Sequence, residues 1–382
     1  MGVGQSDDVD PGDAVAEALA VAVVGLGEAE PAAALVFVAA DADHDVVVKA
    51  VAEALPGIPI VGGSADGEVA SGSGFGEDSV TVALFASDIV GFAAGLGREV
   101  YTDPNAACHA ALETAGVDPR DVRLCFAVGS APFMEDPARI VAALGEVFPE
   151  DTVIVGGGSA AHELGWQSHQ FFGSEVLEDA IALLCLTGPL TVSAGWASGW
   201  HPTGKPATVT RAEGNRILEV DGAPFEAWFR HFVGEGSGPF ASVLLAVWED
   251  GSEDFYLRGV NVIDEAGAAM TLGGVPAGST VRLAVATPDE ILLGATQAMQ
   301  LALERFPADT DPEAALVVSC AVRKMLLGTR TPGEFERVAA ATPAGLPIAG
   351  FYAYGEIAPF GAGGSRFLNG TCVSILLGTA DD

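Results

Sequence analysis

Positive charge is what this 382-residue chain has least of: 17 Lys and Arg stand against 52 Asp and Glu, a formal charge of −35. Lys49, Lys205 and Lys324 are the only lysines. Nothing supplies a phosphate-neutralising stripe, which argues against nucleic acid as a direct partner. Cysteine is sparse as well. Cys108, Cys125, Cys185, Cys320 and Cys372 are odd in number, widely spaced and never in CxxC, which argues against a disulfide framework and a zinc cluster. No HExxH and no dense His/Cys/carboxylate cluster occurs, so no metal is expected. The opening MGVGQSDDVD lacks the basic flank and apolar run of a signal peptide. The uncharged stretch 181–200 is long enough to span a bilayer, but Gly188-Pro189 splits it and a hairpin fits better. A soluble, cytoplasmic protein with no membrane partner is the expectation.

Apolar residues are abundant, at 49%, which is too many for a disordered acidic chain. A globular core under an intensely acidic, lysine-poor surface predicts a salt-adapted, halophilic prokaryotic protein. In molar salt such repulsion is screened within about 3 Å.

The chain repeats itself. Asp10-Pro11, Asp103-Pro104 and Thr287-Pro288 each predict a helix start, with the side-chain oxygen as N-cap and proline where no N–H is needed. Each opening helix is followed by a β-type run (33–39, 121–128, 314–320) and then by a second helix. A strand ending in glycine comes next (58–64, 152–159, 346–352), and then a hairpin-like strand (79–86, 180–186, 371–377). The predicted fold class is α/β. Mixed sheets are built from α-β-α-β-β units in an α-β-β-α layered sandwich, with right-handed β-α-β crossovers. Residues 1–30 form an N-terminal helix and tail, and residues 31–205 a first domain of two repeat units. A second domain covers 215–378, with 199–205 as the joint and a strand-rich stretch over 206–285. The two domains are expected to pack closely.

The glycine corners are the candidate sites, because α/β folds commonly bind ligands at strand ends and glycine leaves backbone N–H groups accessible. The candidates at the first two corners are Gly63, Ser64, Asp66, Glu68, Ser159 and His162. At the third they are Gly350, Tyr352, Tyr354, Gly355 and Glu356. Standard catalytic templates fail: no GxxxxGK[ST] exists, and Asp66 and Ala161 break the GxSxG elbow after Ser64 and Ser159. Cys320 ends a core strand with Arg323 and Lys324 in the following loop, and nearby cations lower a thiol pKa. A buried structural cysteine is the competing reading. Asn369 and Thr371 precede the last strand and are placed to hydrogen-bond the same corner.

The segments VVSCAVRKMLLG, LPIAGFYAYGEIAPF and FLNGT resemble the C-terminal half of the FIST family (F-box and intracellular signal transduction proteins). LVFVAAD and LPGIPIVGGSADGEV resemble the opening of its N-terminal domain, and TVTRAEGNRILEVDGAPFEAWFRHFVG the passage between the two. The resemblance implies a sensory, non-enzymatic module that binds a small molecule such as an amino acid and passes its signal to a signalling protein in trans. Homo-oligomerisation is compatible with that reading. No cofactor is required by it, although a haem-binding nitric-oxide sensor is the alternative and a scaffold without ligand a further one. Carried over, Gly62, Gly63, Ser64, Asp66 and Glu68 form one pocket wall, and Cys320, Arg323, Gly350, Tyr352, Gly355 and Glu356 the other. Arg323 is expected to pair a ligand carboxylate, so Arg323→Ala should weaken an acidic ligand far more than Arg258→Ala.

Overall fold

The computed structural model describes residues 1–132, 134–161, 168–234, 243–249, 251–361 and 364–379. Every helix start named above forms. Asp10 caps Pro11–Leu26, Asp103 caps Pro104–Ala115, and Thr287 caps Pro288–Arg305 in a capping box with Glu290. In each, a side-chain oxygen accepts from a first-turn N–H that has no partner within the helix.

The three repeats build three six-stranded mixed sheets with one strand order. Each sheet runs from an outer strand to a return strand, a first core strand and a second core strand. In the first sheet these are Gly2–Ser6, Val80–Phe85, Ala33–Ala39 and Ile60–Ala65. The second uses Gly91–Arg98, Ala180–Thr187, Val122–Gly129 and Val153–Gly158. The third uses Leu190–Ala197, Cys372–Thr379, Ala314–Cys320 and Ile348–Ala353. The two core strands pair in parallel in all three, and the return strand is antiparallel to the first.

The last two places in each sheet belong to another repeat. Hairpin Gln170–Phe172/Glu175–Leu177 of the second repeat completes the first sheet. Hairpin Glu356–Pro359/Ser365–Leu368 of the third completes the second, and Glu68–Ala70/Gly74–Gly76 of the first completes the third. The exchange closes into a ring. Opening and second helices cover each sheet on one face, and the other faces share one apolar core. There Phe37 stacks on Phe351 with ring centroids 4.3 Å apart, and Phe126 tilts against Phe37. The α/β class with mixed sheets is thus as expected, and the helix–sheet–sheet–helix layering recurs around three sheets.

Several local expectations change. The N-terminal tail is an edge strand: Gly2–Ser6 pairs with Val80–Phe85. Gly2 and Gly4 let it lie directly on the opening helix, since a Cβ there would come within 2.0 and 1.9 Å of the Ala22 and Ala18 carbonyl oxygens. The stretch 181–200 is not a hairpin. Ala180–Thr187 pairs within the second sheet and Leu190–Ala197 with Cys372–Thr379 of the third. Finally, Gly62, Gly156 and Gly350 lie within strands rather than at corners. A Cβ there would approach the carbonyl oxygens of Val36, Ala127 and Val317 to 1.8, 1.9 and 1.9 Å.

The segment 201–285 is an insertion into the third repeat, between its outer strand and its opening helix. It folds into a separate eight-stranded sheet with one helix, Phe225–Val233. Polar contacts seam it to the ring: Asn215 Nδ2 donates to Glu135 O, Gly274 N to Asp136 Oδ1, and Arg366 pairs bidentately with Glu249.

Candidate functional site

Each second core strand runs into the hairpin it lends to the next sheet, and one polar residue opens each hairpin at the same register. Glu68 lies opposite Phe351, Gln170 opposite Gly63, and Glu356 opposite Gly157. All three are fully buried, and each accepts from the start of its own repeat's return strand. Ser79 Oγ donates to Glu68 Oε2 at 2.5 Å. Ala180 N donates to Gln170 Oε1 at 3.1 Å, and Thr371 N and Oγ1 donate to Glu356 Oε2 at 2.9 and 2.6 Å.

The glutamine is satisfied at both ends, its Nε2 donating to Ser159 Oγ at 2.6 Å. The glutamates are not, because Oε1 of Glu68 and of Glu356 has no hydrogen-bond partner. Burial pushes both carboxyls up to about 8, since desolvation penalises the charged form. They are therefore neutral acids at pH 7.

Most of the remaining predicted residues are spent inside the fold. Gly63 packs against Val128 of the second sheet, where a Cβ would reach 2.7 Å. Ser64 Oγ donates to Ala160 O and accepts from His169 N, and Ser159 Oγ donates to Gly129 O. Tyr354 OH donates to Ala161 O, and Asn369 Oδ1 accepts from Gly259 N, tying the insertion to the ring. Gly355 makes the third corner's turn at φ +89, with the Phe367 ring in the space a side chain would need. His162 lies outside the described residues.

Arg323 is corrected. It is fully buried on helix Ala321–Leu327, not in a loop. Its Nε donates to Glu334 Oε1 at 2.7 Å, and Nη2 pairs with the same carboxylate and with Ile291 O. Nη1 reaches Ser198 O and Gly370 O. No N–H direction remains for a ligand carboxylate. Glu334 also accepts from Ser319 Oγ and from Tyr352 OH at 2.7 Å. In the sequence Glu334 looks like any first-turn acid of a surface helix, so nothing flagged it.

Cys320 is corrected too. Burial first, and the adjacent Glu356 second, raise its thiol well above the ordinary value. The cations expected to activate it point elsewhere, Arg323 to Glu334 and Lys324 to Asp66.

Of the candidates, Asp66 lines an open cleft. This cleft, of about 280 Å³, lies over the strand ends of the first repeat, with Ala39 and Ala65 as floor and Asp41, Asp66, Glu77 and Asp78 as walls. Lys324 reaches in from the third repeat, its Nζ 3.0 Å from Asp66 Oδ1 and 2.8 Å from Glu77 Oε1. It acts electrostatically on Glu68 as well, opposing that carboxyl's upward shift. The cleft thus places an ammonium among several carboxylates, and Lys324 and Asp66 both act on Glu68 electrostatically.

Four clefts among the described residues, of 280 to 480 Å³, have no histidine or cysteine in their lining, while Tyr256 lines one and Met1 another. No group of three or more metal-ligating side chains occurs among the described residues, and no helix there is long and apolar enough to cross a membrane.

The fold is a ring of three α/β repeats with several open clefts among the described residues. The chain matches the FIST N domain over residues 32–223 and the FIST C domain over 227–359. It belongs to the FIST family, whose domains are generally considered sensory, small-ligand-binding signal-transduction domains. An uncharacterized protein of Mycobacterium tuberculosis is 29% identical over 245 residues, covering 59% of this chain and 61% of that protein. One from Mycobacterium bovis is 28% identical over 244 residues, with 59% and 60% covered. The matches span about three fifths of these relatives' length. Among solved structures, a cyanuric acid hydrolase from A. caulinodans aligns over 100% of this chain and 99% of its own, at TM-score 0.39 and 12% identity. A Thermotoga maritima phosphoribosylformylglycinamidine synthase II aligns over 99% and 72%, at TM-score 0.20 and 10% identity. Likenesses this loose carry neither fold nor function across.

Proposed function

We propose that this chain is a cytoplasmic small-ligand sensor whose first-corner cleft takes an amino acid or a similar small zwitterion. The observation that carries the reading is Lys324 held between Asp66 and Glu77 at the cleft wall. A ligand carboxylate would take over Lys324, and its ammonium group would take the carboxylates so released. Because Lys324 comes from the third repeat and Asp66 from the first, occupancy would act on the contact between repeats. It would also change the field on Glu68. The signal would then pass to a partner protein in trans. The reading is not enzymatic: the one nucleophile singled out, Cys320, is a buried thiol shifted away from the thiolate.

The test is a thermal-melt screen in molar KCl, the condition the −35 charge calls for, against amino acids, small carboxylates and hemin. A ligand at about 100 times its dissociation constant adds about 2.7 kcal/mol to the native state, a shift of a few degrees for a chain of this size. The expected result is a shift with one or more amino acids that disappears in Lys324→Ala and in Asp66→Asn. A shift with hemin alone, or an amino-acid response untouched by Lys324→Ala, would refute this site.

A further inference from the structure

We infer that the cleft between the inserted sheet and the second repeat is a second binding site, one that takes a small carboxylate on the guanidinium of Arg258. This cleft of about 430 Å³ is bounded by the insertion on one side and by helix Ala138–Val147 and strand Ser365–Leu368 of the ring on the other. The inference is independent of the first-corner cleft and shares no residue with it.

Arg258 differs from the other fully buried arginine. Arg323 is neutralised by Glu334, whereas Arg258 is 2% exposed and forms no ion pair with a carboxylate among the described residues. Its Nε donates to Gly274 O, and its Nη1 to Leu257 O and Phe367 O. Nη2 donates to no described group, and Arg258 lines the cleft. The guanidinium lies 4.3 Å over the Tyr256 ring. On the same ring sits Arg366, but its charge is already taken by Glu249. Burial pulls Arg258 below its ordinary value, against the opposing fields of Tyr256, Asp136 and Glu249.

A buried charge is costly until it is paired and hydrogen-bonded. An incoming carboxylate would supply both to Nη2. Gly273 lies against the guanidinium, where a Cβ would come within 2.9 Å of Arg258 Nε and 3.3 Å of Nη2. Of the cleft's two carboxylates, Glu249 is paired with Arg366 and Asp136 accepts from the N–H groups of Ala138 and Gly274. Val141, Ala142, Pro276 and Ala277 give the cleft an apolar side, which suits an aliphatic tail behind the carboxylate. The −35 surface does not forbid an anion, because molar salt screens long-range repulsion and leaves the contact with Arg258 to decide. A ligand here would touch both the insertion and the ring, bracing one against the other.

The test compares acetate and butyrate with acetamide and butyramide as probes, by thermal melting of the full chain in molar potassium fluoride, where chloride does not compete. The carboxylates should raise the melting temperature of the wild type by a few degrees and the amides should not. Arg258→Met should weaken the response at least about tenfold, the scale of one lost charge-assisted hydrogen bond. Ala142→Trp, at an exposed rim position, should block the cleft without touching the guanidinium, and it decides the matter if Arg258→Met fails to fold. Lys324→Ala should leave the response intact. No carboxylate response in the wild type, or an equal response in wild type, Arg258→Met and Ala142→Trp, overturns the inference.

Discussion

The first and third corners of the ring carry a buried glutamate where the second carries a glutamine, at one register. Glu68, Gln170 and Glu356 all receive a donor from the start of a return strand. Gln170 completes its hydrogen bonding with an amide donor to Ser159, which a carboxylate lacks. The glutamates each keep one oxygen without a partner and hold their proton up to about pH 8. The neutral amide suffices to build the corner, so two of the three corners carry an ionisable group beyond what the fold requires. The first of these feels the field of Lys324.

The strongest way to break the equivalence of the corners is to put a side chain on the glycine behind each. Gly62→Val, Gly156→Val and Gly350→Val should each cost more than about 4 kcal/mol, because the obstacle is a neighbouring strand's backbone oxygen. Soluble yield and melting in molar salt check this; a well-folded Gly350→Val would mean that the third corner is built differently.

Next comes the network specific to the third corner. Arg323→Met alone should cost about 3–5 kcal/mol, because Glu334 is left buried and unpaired, and Arg323→Met with Glu334→Leu should recover most of it. Denaturant unfolding of the single and double variants measures the coupling.

The glutamate–glutamine difference itself predicts a pH dependence. The folded value of Glu68, about 8, lies above the ordinary 4.5. Its contribution to stability is therefore complete below pH 4.5 and is lost as pH rises toward 8. Glu68→Gln should remove about 3 kcal/mol of that loss between pH 5 and pH 7, and Gln170→Glu should introduce a loss of the same sign. Parallel stability–pH curves for wild type and Glu68→Gln would show that Glu68 is ionised in the fold.

The smallest effects belong to features all three repeats share. Asp10→Ala, Asp103→Ala and Thr287→Ala should each cost about 1 kcal/mol, read as similar small drops in melting temperature.

The parts legible in the sequence were those encoded by neighbours in the chain. Asp-Pro and Thr-Pro announce helix starts through a cap and a missing N–H, and apolar runs such as 33–39 and 314–320 announce buried strands. Glu68 and Glu356 stood out because each follows glycine in a recurring pattern. Gln170 did not, since the second repeat interposes extra residues before it. Glu334, and Lys324 as the ammonium of a cleft, were equally hidden, their partners Arg323 and Asp66 being 11 and 258 positions away. Arg258 was expected to be the inert comparison for Arg323. Both are buried, and their partners distinguish them: Glu334 pairs with Arg323, and no carboxylate among the described residues pairs with Arg258.

By itself the sequence determined three α-β-α-β-β copies, their caps, an apolar interior and an acidic exterior, all set by local propensity and composition. Only the tertiary structure decided which sheet each hairpin joins, and hence which residues meet. The exchanged strands Glu68–Ala70 and Gln170–Phe172 are three residues long, too short to carry a periodic signal. Their place is fixed by the open edge that another repeat's second core strand presents, and that edge exists only once the ring has closed.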